Sequence, residues 1–165
     1  MRPHPLLPVL IDAAEGRFPP VDGVVEILPP DDSGTWAVVE LTGHAYILGE
    51  VEATALERAG ADGFGGAAHP DVQRLLAGPQ GWIGCHDAVL VGQPDRGSVS
   101  ALAVRTDLND HPRVVRARQH RLDVTVYGDD DGLVVVGTGL AGRTELAVEL
   151  FDTAPGSNRQ GRRLI

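Results

Sequence analysis

The residues best suited to chemistry stand at the end of the chain, where residues 151–165 read FDTAPGSNRQGRRLI. The segment leaves a strand-like stretch and enters a helix expected to begin near Asn158. Backbone N–H groups at a helix N-terminus lack intrahelical partners and carry partial positive charge, so an anion is stabilised there. Gly156 and Gly161 permit close backbone approach, while Arg159, Arg162 and Arg163 add positive charge. The chemistry that this pattern suits is binding of a phosphate.

Other motifs fall away on context. Residues 137–142 (GTGLAG) match GxGxxG, but the RTELAVEL that follows has period two and reads as a strand. A dinucleotide fingerprint needs a helix there, so a hairpin connection is expected. Residues 60–66 (GADGFGG) lack the GKS or GKT ending of a P-loop and follow a helix, which makes them a helix–helix connector. Residues 129–132 (DDDG) lack the spaced ligands and final Glu of an EF-hand and read as a solvated turn. Cys85 and His86 would point to opposite faces of a strand. His44, His69, His86, His111 and His120 show no metal-ligand spacing, and no metal site is expected.

Composition bounds the rest. The 165 residues suit one domain or one with a small appendage, long enough to bury a core. With 21 Gly and 12 Pro, many turns and short elements are expected. All 14 basic residues are Arg, which with the abundant Ala, Gly, Val and Asp points to a GC-rich bacterial gene. A net charge of −9 argues against general binding to nucleic acid or anionic membrane. One Cys excludes an internal disulfide and suits the cytoplasm. The Pro-broken N-terminus is not a signal peptide, and no run reaches the length of a membrane span.

The positioning elements follow in order. Apolar spacing in residues 4–15 is helical, with Pro8 setting the start. Residues 24–28, 36–41 and 44–48 read as strands, the last two paired through Thr42-Gly43. Residues 51–59 and 71–77 are short helices, the first capped by Gly60. Residues 82–92 suggest one or two strands, and residues 99–104 a strand or buried loop. A helix over 111–121 has Pro112 in its first turn and Asn109 or Asp110 as N-cap, with Arg113, Arg116 and His120 on its polar face. From residue 124 a three-stranded antiparallel meander leads into the terminal helix. Residues 106–111 form the seam, dividing the chain into an N-terminal α/β part (1–105) and a C-terminal sheet (106–165).

At this point GLAGRTELAVEL…GSNRQGRRLI resembles the acetyl-CoA motif of the GNAT N-acetyltransferase superfamily, a strand followed by Q/R-x-x-G-x-G/A opening a helix. The chain is also similar to actinobacterial GNAT-like proteins with a Gly-Arg-Thr-Glu-Leu strand and an N-terminal extension like HPLLPVLIDAAEGRFPPVDG. Laid on the motif, Gly156 takes the Q/R position, Arg159 the middle glycine and Gly161 the final one; only Gly161 agrees. The resemblance implies an α/β (α+β) fold: a mixed sheet with an antiparallel C-terminal meander and then a helix. The family continues into a further strand, so a chain ending at Ile165 is expected to be truncated and incomplete.

What the resemblance implies functionally is transfer of an acetyl group from acetyl-CoA to an amine. Leu150, Phe151 and Asp152 would hydrogen-bond pantetheine through the backbone. Gly156, Ser157, Asn158, Arg159, Gln160, Gly161 and Arg162 would hold the pyrophosphate, and Glu145 or Glu149 would serve as general base. The other expectation is a non-catalytic interaction or dimerisation module whose CoA loop has degenerated. No nucleic-acid or membrane partner is expected in either case; a homodimer is compatible with both.

Overall fold

A computed structural model describes residues 3–84, 87–91 and 102–151. The chain is mixed α/β and divides into two compact units, Met1–Gly92 and Gln93–Ile165. This division lies upstream of the 105/106 boundary expected from sequence. The residues at 103–104 belong to the second unit because they pair with its sheet.

The first unit begins with helix α1, Leu6–Ala14. It starts before Pro8, because the first four N–H groups of a helix have no intrahelical acceptor and a missing one costs little there. Strands β1 (Val25–Leu28), β2 (Ala37–Leu41) and β3 (His44–Leu48) form a mixed sheet in the order β1-β3-β2. β2 and β3 make the expected hairpin, with Leu41 opposite His44 and Gly43 at φ 75° in the turn. β1 runs parallel to β3, placing Glu26 beside Tyr46. Every residue of β3 is buried, as a central strand covered on both faces should be.

Helices α2 (Ala53–Arg58) and α3 (Pro70–Ala77) follow. Leu56 and Val72 from these helices join Ala45 and Ile47 of β3 and Ala67 in one core. α2 ends as Gly60 predicts: Gly60 (φ 82°) donates to Glu57 O and Ala61 to Leu56 O, the paired bonds of a Schellman cap. Residues 60–70 are the expected connector. The Asp62 carboxylate accepts from Phe64 N–H (2.8 Å) and Gly66 N–H (2.9 Å), so an internal anion already occupies that glycine-rich turn. The strands expected over 82–92 are not found: residues 82–84 and 87–91 carry no regular structure, and Leu90 is 91% exposed. An apolar run without a strand edge to pair with does not make a strand.

In the second unit, β4 (Ala103–Val104), β5 (Leu122–Gly128), β6 (Gly132–Thr138) and β7 (Thr144–Leu150) form a wholly antiparallel sheet in that order. This is the expected meander with one added short strand. β5 starts at Leu122, before the expected residue 124, because a bulge between Leu122 and Thr125 absorbs Asp123 at φ 52°. Helix α4 (Pro112–His120) has Pro112 at its start, but its N-cap is His111 rather than Asn109 or Asp110. Val114 and Ala117 of α4 pack with Val126, Leu133 and Val135 on one face of the sheet. Residues 137–142 end β6 and, from Gly139, enter the β6–β7 connection, with a 3₁₀ turn at Leu140–Gly142, as the period-two reading of RTELAVEL requires.

Candidate functional site

β7 is an edge strand, and its register with β6 is unbroken from Gly132↔Leu150 to Thr138↔Thr144. Phe151 N–H donates to Asp131 O at 3.0 Å and Gly139 N–H to Arg143 O at 2.8 Å. Antiparallel ladders alternate, so the odd-numbered residues of β7 turn their backbone groups toward β6. Thr144, Leu146, Val148 and Leu150 therefore turn theirs outward, to an edge that no other described strand covers. Of the backbone donors expected to meet pantetheine, Leu150 faces that edge and the Phe151 N–H faces inward. Asp152, Gly156, Ser157, Asn158, Arg159, Gln160, Gly161 and Arg162 lie outside the described residues, as do the terminal helix and Cys85-His86.

Glu145 and Glu149 share the face of β7 on which α4 packs, since their partners Gly137 and Leu133 alternate in register with Val135. The Glu145 carboxylate accepts from Arg121 Nε at 3.1 Å, from Arg143 Nε at 2.7 Å and from Leu140 N–H at 3.2 Å. Burial pushes this carboxyl up, but Arg143 and then Arg121 outweigh it and hold it below the ordinary glutamate range. Arg121 meets Glu145 through Nε, while its Nη1 is buried without a hydrogen-bond partner. Glu149 accepts from Arg113 Nε at 2.8 Å, with Arg113 Nη2 at 2.7 Å from the same oxygen. Both glutamates are thus ion-paired, Glu145 the more completely.

A second polar cluster, in the first unit, escaped the sequence reading. His44 is 3% exposed. Its Nδ1 lies 2.8 Å from Asp22 Oδ1 and its Nε2 3.2 Å from Glu26 Oε1, while Tyr46 packs on the ring at 4.9 Å between centroids. The ring thus bridges the Asp22 turn and β1. The Val24 N–H bond holds Asp22 below the usual carboxylate range against desolvation, and His44 reinforces it. Burial pushes the Tyr46 phenol up, helped by Glu26 and Asp22.

Three further histidines share a structural task. His4, His69 and His111 each precede a proline, and each Nδ1 accepts the N–H two residues on: Leu6 at 3.1 Å, Asp71 at 3.3 Å and Arg113 at 3.2 Å. The His-Pro pair is a helix start in this chain, and its threefold recurrence was a signal open to sequence reasoning. Among the described residues no group of three or more His, Cys, Asp or Glu could hold a metal ion. No helix among them is long and apolar enough to cross a membrane.

No family model, curated protein or solved structure matches the chain.

Proposed function

We propose that the second unit belongs to an acyl-CoA-dependent N-acyltransferase of the GNAT type, moving an acetyl group from acetyl-CoA to an amine. The observation that supports this reading is the edge of β7 that no other described strand covers, where Leu150 presents its N–H and C=O shortly before the glycine- and arginine-rich segment. A pantetheine amide would pair with that edge like an added strand, and the pyrophosphate would meet Gly156–Arg162. The amine nitrogen attacks the thioester carbonyl, the CoA thiolate leaves, and a base takes the amine proton. Glu149 suits the base better than Glu145, because among the described residues it has one arginine to release where Glu145 has two and a backbone N–H.

The ion pairing of both glutamates favours a second reading, a non-catalytic module that keeps the sheet and has lost the chemistry. Thermal unfolding with acetyl-CoA separates the two, because a ligand that binds only the native state must stabilise it. A rise in melting temperature that Arg162→Glu abolishes is expected for the first reading. No shift at millimolar acetyl-CoA overturns the cofactor assignment.

A further inference from the structure

The first unit carries the chain's whole excess charge. Residues 1–92 hold 4 arginines against 13 acidic residues, whereas residues 93–165 hold 10 of each. A distinct apolar patch is built into this acidic unit. Gly43 O accepts from Asp22 N–H (3.2 Å) and Gly23 N–H (2.9 Å), and Gly23 O accepts from Gly63 N–H (2.9 Å). The three glycines are tightly stacked: a Cβ on Gly63 would fall 2.9 Å from Gly43 O. Val21 lies over Gly43 and Phe64 over Gly23, where a Cβ would stand 2.6 Å from the Phe64 ring. Yet Val21 and Phe64 are each 67% exposed.

Val21 and Phe64 thus each lie against one of a set of glycines that are hydrogen-bonded to one another, and most of each side chain's surface stays in water. Scattered exposed apolar residues need no explanation, but a pair seated on a rigid, hydrogen-bonded backbone loses little conformational entropy when covered. The Phe64 backbone is itself fixed by the Asp62 carboxylate. Asp22 follows Val21 directly in the chain and Asp62 precedes Phe64 by two residues, and His44 Nδ1 at 2.8 Å anchors the Asp22 carboxylate. An aromatic face beside carboxylates is complementary to a guanidinium or ammonium group next to an apolar side chain.

We propose that the Val21–Phe64 patch is a docking surface for a partner protein's cationic segment, one that places Arg or Lys beside aliphatic or aromatic residues. The acidic field of the unit steers such a segment, and Phe64 supplies the stacking contact.

The test titrates the full chain with three labelled peptides: alternating Arg and Leu, the same with Glu for Arg, and the same with Ser for Leu. Amide spectra locate the contact. Expected are shifts at Gly23, Gly43, Gly63 and Phe64 with the Arg/Leu peptide alone, and weaker binding as salt rises. Phe64→Ser and, separately, Val21→Ser remove exposed side chains and leave the melting temperature in place, and each weakens binding about tenfold. Binding that ignores both substitutions, or that maps to other residues, overturns the proposal. Concentration-dependent self-association that Phe64→Ser abolishes also overturns it, by assigning the patch to a second copy of this chain.

Discussion

The carboxylate of Glu145 occupies the space that a side chain on Gly139 would need: a Cβ there would stand 2.5 Å from both carboxylate oxygens. Gly139 has φ −108°, which any residue adopts, so the glycine is required by the approach of Glu145 and not by its own backbone. The GxGxxG of the sequence is therefore spent on a clamp in which one carboxylate ties the β6–β7 connection to Arg121 and Arg143.

Gly139→Ala forces that carboxylate out of its hydrogen bonds and costs about 1–3 kcal/mol of stability. In a Glu145→Ala background the same substitution is nearly neutral, since the obstruction is gone. Urea unfolding of the four proteins gives the coupling directly. Equal costs in both backgrounds would show that Gly139 is needed for another reason.

The pH dependence follows from three carboxyls held below their ordinary range. Arg105 lowers Asp107 against desolvation, while Asp22 and Glu145 are lowered as described. A depressed folded-state pKa contributes stability that is present above the unfolded value and is lost as pH falls through the folded one. Stability should therefore hold at neutral pH and decline on acidification below the normal carboxylate range. Glu145→Gln should destabilise the protein at pH 7 and converge with the parent in acid; a constant gap across a urea series at several pH values would refute the assignment.

His44 links the Asp22 turn to β1 through contacts 22 and 18 residues apart in the chain. His44→Ala removes a buried ring and both bridges, costing about 2 kcal/mol or more. Glu26→Gln, at a half-exposed partner, costs less than about 1 kcal/mol. Denaturant midpoints with unchanged m-values check both, and a Glu26 effect as large as that of His44 would contradict this ranking.

Edge geometry makes a sharper contrast within β7. The Val148 N–H faces outward and the Ala147 N–H faces β6, by the alternation established through Phe151 and Gly139. Val148→Pro is tolerated with modest loss, as prolines are on sheet edges, whereas Ala147→Pro breaks the ladder and unfolds the second unit. If the edge binds pantetheine, Val148→Pro also removes the acetyl-CoA-induced thermal shift. Circular dichroism and melting curves distinguish these outcomes.

By itself the sequence determined the local elements. Period-two alternation in TELAVEL, the turns at Gly43 and at residues 129–132, Gly60 after α2 and Pro112 at the head of α4 each encode their structure within a few residues. These signals are carried by φ preferences and side-chain alternation, which need no distant partner. The same locality misled it at residues 82–84 and 87–91, where apolar character was read as strand and no described strand pairs with them, and at Asn109 and Asp110, where the neighbouring His111 caps the helix.

Only the tertiary structure decided which strand lies at an edge, that β1 pairs with β3 in parallel, and that Glu149 faces Arg113 across 36 residues. It also decided that His44 sits between two carboxylates. Ladders and ion pairs join groups by position in space, and spacing along the chain does not record which partner each carboxylate meets.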